Sequence, residues 1–221
     1  MSFVHLHNHT HYSLLDGLTK IPEMVSFAKE QGSPAVAIAD HGVMYGVIEF
    51  YKECKKQEIK PIIGVELYLA KNRLKKETAE DRRNRHILLL AKNNIGYKNL
   101  LKLVSIAHLE GFYYKPRVDW ETLEKYSEGL ICATACLGGE IPNLIISGQM
   151  DKARETILKY NKLFGQGNFY LELQDHPHLE HQAEVNKKLI KLGRELNIPL
   201  VATNDLHYFK KEDNEAQDIL L

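Results

Sequence analysis

The chain has 221 residues, 44% of them hydrophobic, and its 29 Lys+Arg balance 29 Asp+Glu to a formal charge of zero. That length can bury one substantial core, and the charge balance argues against an autonomous nucleic-acid grip built on basic excess. A membrane span is excluded because no apolar run approaches the roughly eighteen residues required; Met1-Ser2-Phe3-Val4 lacks the basic and apolar regions of a signal peptide, and the three cysteines follow no CxxC spacing, so a cytoplasmic location is expected.

In chain order, "FVHLH" (3–7) reads as a strand. "IPEMVSFAKEQG" reads as a helix with Ile21, Val25 and Ala28 on one stripe and Gly32 as its stop. "PAVAIAD" (34–40) is a buried strand, and Val47, Tyr51 and Cys54 mark the inner side of the next helix. Strands "KPIIGVELYLA" (60–70) and "HILLLA" (86–91) follow, then a helix with the stripe Tyr97, Leu100, Leu101, Val104 and Ala107. A short helix led by Asp119 precedes the strand "GLICATA" (129–135). Helices over about 139–147 and 151–164, the strand "NFYLELQ" (168–174), a helix over about 179–196 and the strand "IPLVATND" (198–205) complete the series. The alternation of near-continuous apolar strands with helices predicts parallel strands covered by helices, either an α/β barrel or a doubly wound sheet.

Two segments stand apart. Residues 71–85, "KNRLKKETAEDRRNR", carry seven basic and three acidic side chains and read as a solvated loop or hairpin in preference to a nucleic-acid contact. "KKEDNEAQDILL" (210–221) begins a helix whose apolar side opens at Ala216 and which has no C-cap, so residues 211–221 are expected to lead into a further domain.

Residues 5–11 place four histidines at alternate positions, where an extended strand would put them on one face. Further metal-competent side chains fall where strands end: Asp16 after the first, Asp40 and His41 after the second, Glu66 in the third, Cys136 after "GLICATA", and Asp205 and His207 after the last. Carboxyl ends of parallel strands are where loops converge over a rigid scaffold. His86 precedes its strand instead of following it, and reaches the same rim only if that strand is short or antiparallel. "DHPHLEHQ" (175–182) reads as a loop and helix start, and Cys132 as a core residue.

In order, "HLHNHTHYSLLDG", "AIADHG", "GVELY", "RHILLLAKN", "CATACLGGE" and "TNDLHY" resemble the motifs of the PHP (polymerase and histidinol phosphatase) superfamily. "GFYYKPRVDW", "YLELQDH" and "NDLHY" narrow the resemblance to the PHP domains of bacterial replicative DNA polymerase III α subunits. The resemblance implies an α/β fold, a distorted seven-stranded (β/α)7 barrel, with residues 1–221 as one PHP domain at the N-terminal end of a longer polymerase chain. It implies three divalent metal ions on the matching positions His7, His9, Asp16, His41, Glu66, His86, Cys136, Asp205 and His207. His5 stands where many superfamily members have Asp, and its part stays open between binding a metal and orienting a ligand. Asp40 is expected to orient its neighbour His41, and Glu172 to hydrogen-bond a ligand or to stand as a buried hydrogen-bonded acid, without binding a metal itself.

Five neutral imidazoles, three carboxylates and a thiolate contribute about −4 against +6 from three divalent ions, leaving a cationic site open to phosphate. The imidazole and thiolate content favours Zn²⁺, Mn²⁺ or Fe over Mg²⁺. The chemistry expected is hydrolysis of a phosphodiester by metal-activated water, with His9, Asp16, Glu66 and Asp205 central to catalysis. Tyr113, Lys115 and Arg117 interleave aromatic and cationic groups as single-strand binders do; the other reading packs the aromatics on the barrel flank.

Three functions follow. The domain is a 3′→5′ exonuclease editing a DNA primer end for its polymerase; or its metals are structural and it supports the polymerase or docks a separate proofreading exonuclease subunit; or it is a small-molecule phosphatase of the histidinol phosphatase type. DNA synthesis itself is expected of the rest of the parent chain.

Overall fold

The computed structural model describes residues 3–220. Met1, Ser2 and Leu221, on which parts of the terminal readings fall, lie outside the described residues. The elements run as α1 (Ile21–Glu30), β1 (Ala35–Ile38), α2 (Val47–Gln57), β2 (Lys60–Leu69), β3 (Arg85–Ala91) and α3 (Asn94–Leu109). They continue with β4 (Arg117–Val118), α4 (Trp120–Tyr126), β5 (Leu130–Ala133), α5 (Glu140–Ile146), α6 (Met150–Phe164), β6 (Phe169–Gln174), α7 (Gln182–Leu196), β7 (Leu200–Thr203) and α8 (Asn214–Leu220). The seven strands form one curled mixed sheet in the order β1-β2-β3-β5-β6-β7, with β4 beside β2, giving the distorted barrel expected.

Residues 3–7 are not a regular strand. Residues 5–9 join the two sheet edges: the carbonyls of His5 and Asn8 accept from Ala37 and Ala39, while His7 and His9 exchange backbone hydrogen bonds with Leu206. The Asn8 side chain donates to the carbonyls of His5 and Ala37, at 3.0 and 2.9 Å, and this local bonding displaces a regular ladder.

The sheet is not all parallel. β1 pairs parallel to β2, but β3 runs antiparallel to both β2 and β5. Parallel neighbours need a covering crossover, usually a helix. The 71–85 connection holds only a short 3₁₀ turn at Glu80–Arg82, so the chain reverses directly and β3 starts at the end where β2 finishes, with His86 opposite Tyr68.

Helix faces follow the 3.6-residue period with two adjustments. In α2 the buried residues are Val47, Phe50 and Cys54, and Tyr51, expected inside, is exposed. In α3 they are Gly96, Leu100, Leu103 and Ala107, with Leu103 taking the place expected for Leu101. Asn93 caps α3 by accepting from the backbone of Ile95 and Gly96, and Asp119 caps α4 in a box with Thr122. In α8 the buried residue is Gln217; Ala216 and Ile219 are exposed, which corrects the expected apolar side.

Arg117 does not face solvent. Its side chain is fully buried, and its guanidinium donates to the carbonyls of Gly111 (2.8 Å), Arg73 (2.7 Å), Lys75 (3.0 Å) and Asp81. It therefore clamps the 71–85 segment to the barrel and cannot meet a phosphate, which corrects its expected substrate role. Arg73 reinforces the clamp through Asp119 at 3.1 Å and Glu110 at 3.0 Å. Arg117→Met should leave four carbonyls without this donor, those of Gly111 and Arg73 buried, and cost about 3 kcal/mol. At this chain length that is a fall of about 6–12 °C in unfolding temperature, readable by calorimetry.

Candidate metal centre

The donors assemble at the end of the barrel where β1, β2 and β7 finish. His41 follows β1 and bridges to Glu66 near the end of β2; His86 opens the antiparallel β3; Cys136 lies beyond β5; Asp205 and His207 lie beyond β7. His7 and His9 come from the edge-joining segment and Asp16 from the loop after it. All nine residues expected as metal ligands meet there.

Glu66 is the hub. Its carboxylate, 1% exposed, lies 2.6 Å from His41 Nδ1, 3.1 Å from His86 Nδ1, 3.4 Å from His7 Nε2 and 3.7 Å from His9 Nε2. Asp205 Oδ1 sits 3.2 Å from His7 Nε2 and 3.0 Å from His9 Nε2. Asp16 Oδ2 is 2.8 Å from His41 Nε2 and 3.6 Å from His207 Nε2, and Cys136 Sγ is 3.6 Å from His86 Nδ1.

Three imidazoles are held from behind at Nδ1, which turns Nε2 toward the other donors. His7 Nδ1–H donates to Glu172 at 2.7 Å, His9 Nδ1–H to Ser13 Oγ at 3.2 Å, and His207 Nδ1–H to the Asp205 carbonyl at 2.8 Å. Fixing the tautomer from behind is how ligating histidines are prepared. Glu172, in mid-β6, is itself held by Gln174 at 3.0 Å and by the Thr203 hydroxyl. Asp40 acts elsewhere than expected: it accepts from Thr10 and, at 2.7 Å, from Ser13, so it positions His9 through Ser13 and makes no side-chain bond to His41.

The electrostatics follow from charge burial. Burial depresses the imidazolium of His9 and neighbouring His41 adds to this, bringing its pKa down to about 3. Burial opposes charge on His41 too, but Asp16 and Glu66 outweigh it and lift the pKa to about 9. The same contest leaves His7 well above its ordinary value, because Asp205, Glu172 and Glu66 surround it. Glu66 is held far below the usual carboxylate range despite burial, mainly by His7 and His86. Burial, then Glu66 and Asp205, push the Cys136 thiol up.

A group of divalent ions fits this donor set. His9–His41–His207, His7–His9–Glu66 and His41–Glu66–His86 each bring three donor atoms within 4.8 Å of one another. Buried His7 Nε2, His41 Nδ1 and Glu66 Oε2 have no hydrogen-bond partner, and the last two lie 2.6 Å apart without the alignment of a hydrogen bond. Orphaned buried donors of this kind are costly unless something else satisfies them.

The remaining predicted residues divide. His5 packs edge-on against Phe3, its rings 4.8 Å apart, and bonds to none of the donors. Lys115 and Tyr113 lie on a tight turn beside the rim, whereas Arg117 is buried below it. Ser13, Thr203 and Tyr68 also border the donors, and nothing in the sequence marks them, as hydroxyl residues have no metal-ligand signature. Backbone strain was equally hidden: Leu15, Ala135 and Asp205 all have positive φ, beside or at Asp16, Cys136 and Asp205.

Residues 5–176 match the family described as PHP domain. The chain belongs to the PHP family. It is 53% identical to DNA polymerase III subunit alpha of Borreliella burgdorferi over 99% of this chain, and 49% identical to that of Treponema pallidum over 100%. This PHP chain spans 19% of the length of each of those relatives. Among solved structures it is similar to an amidohydrolase from Chromobacterium violaceum with bound sulfate (TM-score 0.61, 15% identity, 92% of this chain and 87% of that one). It is also similar to a Bifidobacterium adolescentis protein named for metal-dependent phosphoesterase activity (TM-score 0.50, 15% identity, 93% and 87% coverage). These two likenesses show the PHP-type barrel fold. Among the described residues no helix is long and apolar enough to cross a membrane.

Proposed function

We propose that this PHP domain, spanning residues 1–221 of a DNA polymerase III α chain, is a metal-dependent phosphoesterase that removes nucleotides 3′→5′ from a DNA primer end. The convergence of eight further donor residues on the cluster centred at Glu66, with buried donor atoms left unpartnered, is the observation that carries this reading. The proposed ligands are His7, His9, Asp16, His41, Glu66, His86, Cys136, Asp205 and His207. When bound, divalent ions such as Zn²⁺, Mn²⁺ or Fe supply water activation and neutralise charge on the phosphate.

The chain's own contribution is orientation and access. Glu172 and Ser13 hold His7 and His9 in one tautomer, and Glu66 and Asp205 present carboxylate oxygens between imidazoles. The side chains of Asp16, His86 and His207 keep 28%, 26% and 21% of their surface accessible, whereas those of His7, His9 and Glu66 keep 0–1%. A donor set sealed beneath and open above favours catalysis over a purely structural site, which closes on all sides.

The test incubates the chain with Mn²⁺ or Zn²⁺ and a 5′-labelled oligonucleotide, beside a small phosphomonoester. Mononucleotides released from the 3′ end are expected. Phosphate release from the monoester alone would favour the histidinol phosphatase type, and retained metal without turnover would favour a structural or subunit-docking role. Asp205→Ala must abolish any activity seen.

Metal affinity should depend on pH with a definite sign. His41, His7 and the Cys136 thiol hold their protons at neutral pH in the metal-free chain, and each must lose one to bind an ion. Affinity should rise from pH 7 to 9 by about one decade per pH unit for each proton displaced. Chelator competition at several pH values reads the slope, and a flat profile would remove these groups from the ligand set.

A further inference from the structure

A basic and aromatic surface runs outward from the donor cluster. Tyr68 stacks on His41 at 5.9 Å and meets His86 edge-on at 5.3 Å. The Lys115 ammonium sits over the outer part of the same surface, 5.4 Å from the Tyr68 ring centroid. Next along the turn, Tyr114 is 63% exposed, and the Arg82 guanidinium stacks over its ring at 4.3 Å. The turn is seated on the rim: a Cβ at Gly42, the neighbour of His41, would lie 2.6 Å from Pro116 and 3.3 Å from Tyr68, and Gly42 has φ +64. Tyr114 has φ +61, a conformation bulky side chains rarely adopt, and it holds the ring out at the apex of the turn.

The geometry points to Lys115, Tyr114 and Arg82 as a rail for single-stranded nucleic acid: Lys115 and Arg82 meet successive phosphates and Tyr114 offers its face to a base, while the terminal phosphodiester lies over the donor cluster. This rests on the proposed phosphoesterase reading and adds the side chains that hold the strand beyond its terminal nucleotide. Cations interleaved with exposed aromatic faces are how single strands are held without sequence preference. Arg117, the cation that the sequence pairs with Lys115, is replaced in the rail by Arg82 from the 71–85 segment, which Arg117 itself clamps in place.

The test measures fluorescence anisotropy of a labelled phosphorothioate dT12 with the Mn²⁺-loaded 221-residue chain, so that binding is read whether or not cleavage occurs. Lys115→Gln and Arg82→Gln should each flatten the log–log salt dependence by about 0.7. Tyr114→Gly should weaken binding about tenfold without lowering the unfolding temperature, because glycine suits the left-handed backbone. Lys191→Ala, an equal loss of charge on α7, should change nothing. Unchanged salt slopes in both Gln variants, or no saturable binding by the parent chain, would overturn the rail. Retained 3′ cleavage with no such contrast sinks the rail alone, whereas an intact contrast with no cleavage sinks the phosphoesterase reading alone.

Discussion

Glu66→Ala is expected to strip the centre of metal and reduce phosphodiester hydrolysis by on the order of 10³-fold, about 4 kcal/mol of transition-state stabilisation. The reason is position. No other carboxylate of the cluster lies within 4 Å of four imidazoles, and two of the three candidate triads include it. Removing it also takes from His41 and His7 a counter-charge that holds their protons. The expected losses are therefore of metal content by elemental analysis after gel filtration, and of activity in the same preparation. Full metal content in Glu66→Ala would remove the hub from the account.

Glu172→Ala should produce the second-largest effect although Glu172 is proposed to touch no ion. One of its oxygens accepts from His7, Gln174 and Thr203 together. Alanine would free the His7 ring to change tautomer and leave buried donors unpaired. Metal affinity should fall about 10–100-fold, and the metal-free fold should lose about 3 kcal/mol. Glu172→Gln preserves the acceptor oxygen and removes the charge, so it should recover most of the stability and part of the affinity. If Gln were as damaging as Ala in both readouts, charge and not orientation would be what Glu172 supplies to His7.

The donors were legible in the sequence because strand ends in α/β folds share a rim, and His, Asp, Glu and Cys advertise their chemistry by type. His86 broke the pattern because strand direction depends on the connection before it. The polar 71–85 stretch reads equally well as a loop above a parallel strand or a reversal into an antiparallel one. Arg117 misled for a different reason: its acceptors are backbone carbonyls of Arg73, Lys75, Asp81 and Gly111, and carbonyls leave no trace in residue identity. Adjacency in sequence makes Asp40 look like a partner of His41. In space, alternation and the turn at residues 10–16 bring Thr10 and Ser13 to it instead. The inner faces of α2 and α3 each shifted by a residue or two, to Phe50 and Leu103, since helical periodicity defines an arc and not its edges.

Hydrolysis at this centre requires that ions seat among these side chains. Crystals of the chain soaked in Mn²⁺ and measured at the manganese absorption edge test this most directly. Anomalous peaks are predicted beside Glu66, within about 2.0–2.3 Å of donor atoms of His7, His9, His41 and their neighbours. A difference map without a peak anywhere among the nine side chains, from crystals shown to contain manganese in solution, would contradict it.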